Sequence, residues 1–344
     1  MAYKDDIQKV ASLNLPWEEL RGSNILITGA TGLIGSCLVE VLMSRKNKDY
    51  NVYASGRNEL RAKSKFKDYV NDPTFHFLKF DVTETLKSNI NFKFIIHAAC
   101  DASPNFYAKQ PVEVIKANML GVMNLMDYGL EHGLKRFLFV SSGEVYGEGD
   151  GRVFIENYSG YVDCTKPRSC YPTSKRAAES LCVSYAQEYG IETVIARPCH
   201  IYGPGFTESD NRVFAQFVRN VLHHEDIVMK STGSQLRSWC YCPDCASGIL
   251  HVLLKGENGA AYNIADESSN VSIKELAELI ACIGGRKVVV SIPDDSERAG
   301  CSIVAKAVFS TEKLEKLGWK TMGTLKANFE NTIHFLQREF HQQV

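Results

Sequence analysis

Seven residues near the start of the chain, Gly29-Ala30-Thr31-Gly32-Leu33-Ile34-Gly35, restrict the possible fold more than any other stretch. They follow a short apolar run, Asn24 to Thr28, and precede Ser36 to Ser44, where Leu38, Val39, Leu42 and Met43 recur at helical spacing. An apolar run ending in glycine reads as a buried parallel strand. Strand, glycine-rich turn and helix in that order are the context in which a glycine pattern signals dinucleotide binding. Gly29, Gly32 and Gly35 let the backbone turn tightly, so that a pyrophosphate can sit at the helix N-terminus beside Thr31, Leu33 and Ile34.

The alternation continues beyond this unit. Strands are expected at Asn51–Ser55, Phe75–Phe80, Phe92–His97, Arg136–Val140 and Ile191–Ala196, and long helices at Val112–Glu131 and Pro172–Tyr189. Repeated strand–helix alternation predicts an α/β, Rossmann-type doubly wound parallel sheet. After Pro198 the texture changes, and Gly203-Pro204-Gly205 breaks the chain. Helices are expected at Arg212–His223, Asp244–Lys255, Ile273–Ile283 and Leu325–Phe340, with short strands at Ile227–Met229, Ser238–Tyr241 and Val288–Ile292. The predicted organisation is a Rossmann domain over residues 1–200, with a helical lead-in at 1–22. A smaller α/β C-terminal substrate lobe over 201–344 is interwoven with it.

Composition narrows the function class. Lys and Arg total 39 against 40 Asp and Glu, with no long basic block, which argues against nucleic acid as a partner. No apolar run reaches the roughly 18 residues a membrane helix needs. The N-terminus Met-Ala-Tyr-Lys-Asp-Asp lacks a signal-peptide core, so a cytoplasmic protein with reduced cysteines is expected. Cys240, Cys242 and Cys245 form Cys-x-Cys-x-x-Cys. Without a second ligand pair this reads as small apolar residues where a strand runs into a helix, not as a metal site.

Residues 171 to 175, Tyr-Pro-Thr-Ser-Lys, place a Tyr and a Lys one helical turn apart on one face. A neighbouring ammonium favours the phenolate, so the Tyr171 pKa is expected to fall from about 10 toward neutrality. Such a phenol can exchange a proton with a sugar hydroxyl. The pattern gains weight from Ser141-Ser142-Gly143-Glu144-Val145-Tyr146-Gly147 upstream and from the glycine loop.

Gly-x-x-Gly-x-x-Gly, Ser-Ser-x-x-Val-Tyr-Gly, Tyr-x-x-x-Lys and Arg-Pro-x-x-x-Tyr-Gly-Pro (197 to 204) occur in one order, with Leu317-Gly318-Trp319 near the end. Together they resemble the extended short-chain dehydrogenase/reductases of the epimerase/dehydratase type that act on nucleotide sugars. Arg168-Ser169-Cys170-Tyr171, Lys175-Arg176-Ala177-Ala178-Glu179 and Gln235-Leu236-Arg237-Ser238-Trp239 are most similar to UDP-glucuronate decarboxylases, with dTDP-glucose 4,6-dehydratases close behind.

The resemblance implies transient oxidation of the sugar at C4 by a tightly bound NAD or NADP. Ser142, Tyr171 and Lys175 would form the proton-transfer set, with Lys175 also on the nicotinamide ribose. Glu144 matches the carboxylate that serves dehydratases as the C5 base. Gly143 departs from the Asp of dehydratases and from the hydroxyl residue of decarboxylases. Asp81 and Val82 resemble the adenine contact, with a helix cap as the alternative for Asp81. Ala98 and Ala99 would line the cofactor, and His97 is not assigned to catalysis. Asn118 matches a family Asn, with a helix-surface amide as the alternative.

No acid stands in Ser55-Gly56-Arg57-Asn58, so Arg57 could hold an NADP phosphate or stack on adenine, and the choice between NAD and NADP stays open. His200 replaces the usual Asn that binds the substrate phosphate. Arg237 matches an anion contact near the sugar. Arg212, Lys230 and Arg298 are further candidates for substrate contacts, with a solvated surface as the alternative. Relatives dimerise through helices corresponding to 113–131 and 172–189, packed as a four-helix bundle. The alternatives within and outside the enzyme class are a net 4-dehydrogenase or 4-keto reductase, and a non-catalytic NAD(P)-binding sensor or scaffold.

Overall fold

The structure is a computed structural model that describes residues 2–100, 102–207, 210–291 and 305–341. Helix α1 (Ala2–Ala11) precedes β1 (Ser23–Thr28), α2 (Leu33–Met43), β2 (Tyr50–Gly56), α3 (Glu59–Lys65), β3 (Phe75–Lys79) and β4 (Phe92–His97). Then come α4 (Pro104–Lys109), α5 (Pro111–Glu131), β5 (Arg136–Val140), α6 (Cys170–Tyr189) and β6 (Glu192–Pro198). The remainder runs β7 (His200–Tyr202), α7 (Val213–Leu222), β8 (Ile227–Met229), β9 (Leu236–Tyr241), α8 (Cys242–Lys255), β10 (Ala261–Ile264) and β11 (Asp266–Ser272). It ends with α9 (Ile273–Gly284), β12 (Val288–Val290), β13 (Lys306–Ala307), α10 (Glu312–Glu315) and α11 (Leu325–His341).

The main sheet has seven strands in the order β10-β6-β5-β4-β1-β2-β3. All its pairings are parallel. Strand order reverses between β1 and β4, and ligands bind outside the carboxyl ends of the strands at such a reversal. β1 carries Ile25, Leu26 and Ile27, each fully buried, because a central parallel strand is covered by helices on both faces.

The predicted strands and helices are present, with ends shifted by a few residues. Helix α2 begins at Leu33, directly after its Gly32 cap, rather than at Ser36. The seventh strand, β10, was not expected. It comes from beyond residue 200 and pairs with β6 from Ala261↔Ile195 to Ile264↔Pro198. A second sheet joins β11, β9 and β13, with β7 also on β9. Cys240, Cys242 and Cys245 lie fully buried where β9 runs into α8. Arg298 lies outside the described residues.

Candidate active site

The glycine loop is shaped by close backbone contacts. Gly29 has φ +66°, and a Cβ there would meet the Ala98 carbonyl oxygen at 2.6 Å. A Cβ on Gly35 would lie 2.3 Å from the Gly29 oxygen, so neither position admits a side chain. Gly32 caps α2 without a side-chain hydrogen bond, which leaves the first N–H groups of this 11-residue helix uncovered. That cradle fits a pyrophosphate.

The predicted cofactor residues follow the carboxyl ends of β1 to β4. The Thr31 carbonyl accepts from Arg61 at 2.8 Å, while Leu33 and Ile34 pack on the core. Arg57 is exposed past the end of β2. Asp81 accepts from the Thr83 N–H and hydroxyl, which makes a turn, and Asn124 of α5 binds the Val82 carbonyl at 2.9 Å. Ala98 and Ala99 follow β4 at the sheet edge. His97 is buried with Nδ1 2.7 Å from the Thr28 hydroxyl. Burial, then the Lys175 charge, push its pKa down to about 3, so it is neutral and structural.

Tyr171 and Lys175 lie on the first turns of α6, both buried. The Lys175 ammonium donates to the Val140 carbonyl at 2.7 Å and lies 4.5 Å from the Phe139 ring centroid. It stands 5.7 Å from the Tyr171 ring centroid. Ser142 caps a 3-10 turn at Gly143–Tyr146, accepts from the Glu144 N–H at 3.2 Å and is close enough to the Tyr171 phenol to favour its ionised form. Asn118 is fully buried, not a surface amide. Its Nδ2 donates to the Ser174 hydroxyl at 2.9 Å and ties α5 to the catalytic helix.

One expectation is corrected here. The Tyr171 pKa is raised above its ordinary value, not lowered. Burial dominates, followed by the neighbouring Cys100 and Glu144, while Ser142 and Tyr107 oppose them. Burial also lowers the Lys175 pKa. Helical spacing brings the pair together, but desolvation penalises both charged forms.

No sequence signal marked what covers this set. Tyr107 of α4 stacks on Tyr171 with ring centroids 4.6 Å apart and planes at 20°. The Arg168 guanidinium lies 4.7 Å above Tyr107 and pairs with Glu144 at 2.9 Å. Glu144 is therefore brought to the site, held by Arg168.

The second sheet supplies the opposite wall. Arg237 on β9 is only 5 % exposed, donates to the Leu236 carbonyl at 2.9 Å and feels the Glu144 charge. His200 opens to the cleft with its ring 5.3 Å from Trp239. Desolvation by the walls behind it, then Arg237 and Arg212, push His200 down to about 4. Arg212 makes a two-pronged pair with Asp210, its Nη2 2.5 Å from Oδ2, so much of its charge is already engaged. Lys230 is exposed.

A glycine loop at the reversal of a parallel sheet, with Ser142, Tyr171 and Lys175 at the same edge, defines a Rossmann-fold enzyme that works with a nicotinamide dinucleotide. Residues 25–265 match the NAD dependent epimerase/dehydratase family, and the chain belongs to it. UDP-glucuronic acid decarboxylase 6 of Arabidopsis thaliana is 35% identical over 299 residues, 86% of this chain and 83% of that protein. UDP-glucuronic acid decarboxylase 1 of Xenopus tropicalis is 29% identical over 323 residues, 93% of this chain and 73% of the relative. Among solved structures, dTDP-glucose 4,6-dehydratase of Streptomyces venezuelae, with NAD bound, superposes with TM-score 0.79 at 21% identity, covering 93% of this chain and 98% of that one. UDP-glucose 4-epimerase of Thermotoga maritima gives 0.78 at 22% identity, covering 92% and 99%. These superpositions show the fold. No helix among the described residues is long and apolar enough to cross a membrane.

Proposed function

We propose that the chain decarboxylates a nucleotide-linked uronic acid, with UDP-glucuronate as the first substrate to test. The observation that carries this is Arg237, a guanidinium buried in the cleft wall and acted on by the Glu144 charge, of the type that binds a sugar carboxylate. Bound NAD or NADP supplies the hydride acceptor at C4 and returns the hydride at the end.

The chain's own residues handle the rest. Ser142 holds the C4 oxygen, and Tyr171 in its ionised form takes the proton from it, a form that burial opposes and the Lys175 ammonium one turn away favours. Asn118, through Ser174, keeps α6 in place. The 4-keto group is β to the carboxylate, so the electron pair freed with carbon dioxide passes to the C4 oxygen as an enolate beside Tyr171, and C5 takes up one proton as the ketone re-forms. Arg237 orients the carboxylate, and Glu144 with Arg168 lines the face beside C5. His200 and Arg212 stand on the diphosphate side, and Arg298 joins the same assignment from sequence alone. The glycine loop, Asp81, Val82, Ala98 and Ala99 hold the dinucleotide.

We assign residues 1–200 to cofactor binding and 201–344 to the interwoven substrate lobe. The reading also includes a cytoplasmic location and a homodimer through 113–131 and 172–189. Ile115, Leu120 and Met123 of α5 and Val183 of α6 are exposed apolar side chains, which favours that face.

Mass spectrometry of products from UDP-glucuronate tests the reaction. Loss of carbon dioxide supports it. Loss of water or of two hydrogens replaces it with dehydration or net oxidation, and an unchanged substrate removes UDP-glucuronate from consideration.

A further inference from the structure

We propose that Arg168 is a positioning residue that neutralises Glu144, so that the cleft admits the carboxylate of a nucleotide-linked uronic acid beside it. The proposal rests on the uronic-acid reading above.

Without Arg168, two carboxylates would compete for one cation. Arg237, the buried guanidinium assigned to the sugar carboxylate, already feels the Glu144 charge. A second carboxylate brought to Arg237 would meet Glu144 as a like charge, and like charges in a partly desolvated cleft oppose binding. Arg168 supplies the missing cation, with its Nη2 2.9 Å from Glu144 Oε1. Once the sugar is bound, Arg168 and Arg237 together balance Glu144 and the substrate carboxylate. After carbon dioxide has left, both cations face Glu144 alone, and the neutral sugar gives Arg237 no charge to hold.

Local structure keeps Arg168 in place. It lies in the 3-10 turn Pro167–Ser169 that leads into α6, and the Ser169 hydroxyl ties that turn down by donating to the Asp163 carbonyl at 2.6 Å. Its guanidinium rests on the ring of Tyr107, which is buried and stacked on Tyr171. The Arg168 and Glu144 side chains are 48% and 41% exposed. An ion pair that open to water adds little to stability, so the Arg168 variant should fold as its parent does. The pair gains strength when a bound sugar displaces the water around it, which is when the neutralisation is needed.

The test is calorimetric titration of the full-length Tyr171→Phe protein, in which turnover is suppressed, with UDP-glucuronate and with UDP-glucose. Adding Arg168→Gln should weaken UDP-glucuronate about tenfold, the order of one unbalanced charge, and change UDP-glucose by less than about twofold. In a Glu144→Gln background there is no charge to neutralise, and Arg168→Gln should leave UDP-glucuronate affinity in place. Unchanged UDP-glucuronate affinity after Arg168→Gln alone overturns the proposal. An equal loss for both ligands overturns it too, since that marks a general structural role, as does a loss that persists beside Glu144→Gln. Failure of the unaltered protein to bind UDP-glucuronate overturns the uronic-acid reading itself.

Discussion

The Phe309 ring fills the space into which a side chain at Gly143 would project. A Cβ on Gly143 would lie 2.3 Å from its Cζ. Phe309 is 2 % exposed and its N–H donates to the Ser238 hydroxyl at 3.1 Å, so it has little freedom to withdraw. The departure seen at residue 143 is thus one half of a packed pair. The acid that the dehydratases of the resembled family carry there has no room here. Gly143→Ser should destabilise the protein by about 1–3 kcal/mol through overpacking. In a Phe309→Leu background the same substitution should be milder by about 1 kcal/mol, read as coupling in a double-mutant cycle of urea unfolding. Additive effects would mean that the ring does not confine residue 143.

Tyr171→Phe removes only the phenolic oxygen. Turnover should fall by about 10²–10⁴-fold, the usual worth of a positioned acid–base group. Dinucleotide affinity should change little, as followed by fluorescence titration. Turnover at the unaltered rate would remove Tyr171 from the chemistry, and a sensor without catalysis would show no such split.

Arg237→Met keeps most of the side-chain volume and deletes the charge. Affinity for UDP-glucuronate should drop by about 10- to 100-fold, the loss expected for a hydrogen bond to a charged group. Affinity for UDP-glucose, which lacks the carboxylate, should fall much less. A parallel loss for both would move Arg237 from the carboxylate to the diphosphate.

Asp244 predicts a pH dependence of stability. It is 1 % exposed on the first turn of α8, where Oδ1 accepts from the Met322 N–H at 2.9 Å and Oδ2 has no partner among the described residues. Burial raises its pKa from 3.8 to about 7, with Asp266 and Asp6 adding to the effect and Lys9 opposing it. A raised folded-state pKa means that the protonated form is the stabilised one. Its contribution is complete below about pH 4 and is lost as pH rises through about 7, by at most about 4 kcal/mol. Asp244→Asn keeps the acceptor for Met322 and should flatten this slope in denaturant melts at about pH 5 and about pH 8. An unchanged slope would assign the dependence to another group.

Much of the fold was legible because its signals are local. Apolar runs marked β1 to β6, and the glycine loop marked the turn between β1 and α2. Strand β10 was not legible. Ala261-Tyr262-Asn263-Ile264 is too short to show a period, and only pairing with β6 makes it a strand. Tyr107 was missed for a similar reason, since α4 is a six-residue helix and its stacking partner lies in another element. The direction of the Tyr171 shift failed because helical spacing reports who is near, whereas desolvation depends on the whole surrounding shell. The Asp210–Arg212 pair is two residues apart and could have been weighed from the sequence.

The late arrival of β10 has a consequence for synthesis. A ribosome makes the chain from its N-terminus, so β1 to β6 leave the exit tunnel well before residues 261–264. Throughout that interval β6 is an unpaired edge of a parallel sheet, and α8, which packs against β5, β6 and β10, is added only in its last part. Open parallel edges invite pairing with other chains. The nascent protein therefore carries this open edge until more than three quarters of its 344 residues exist.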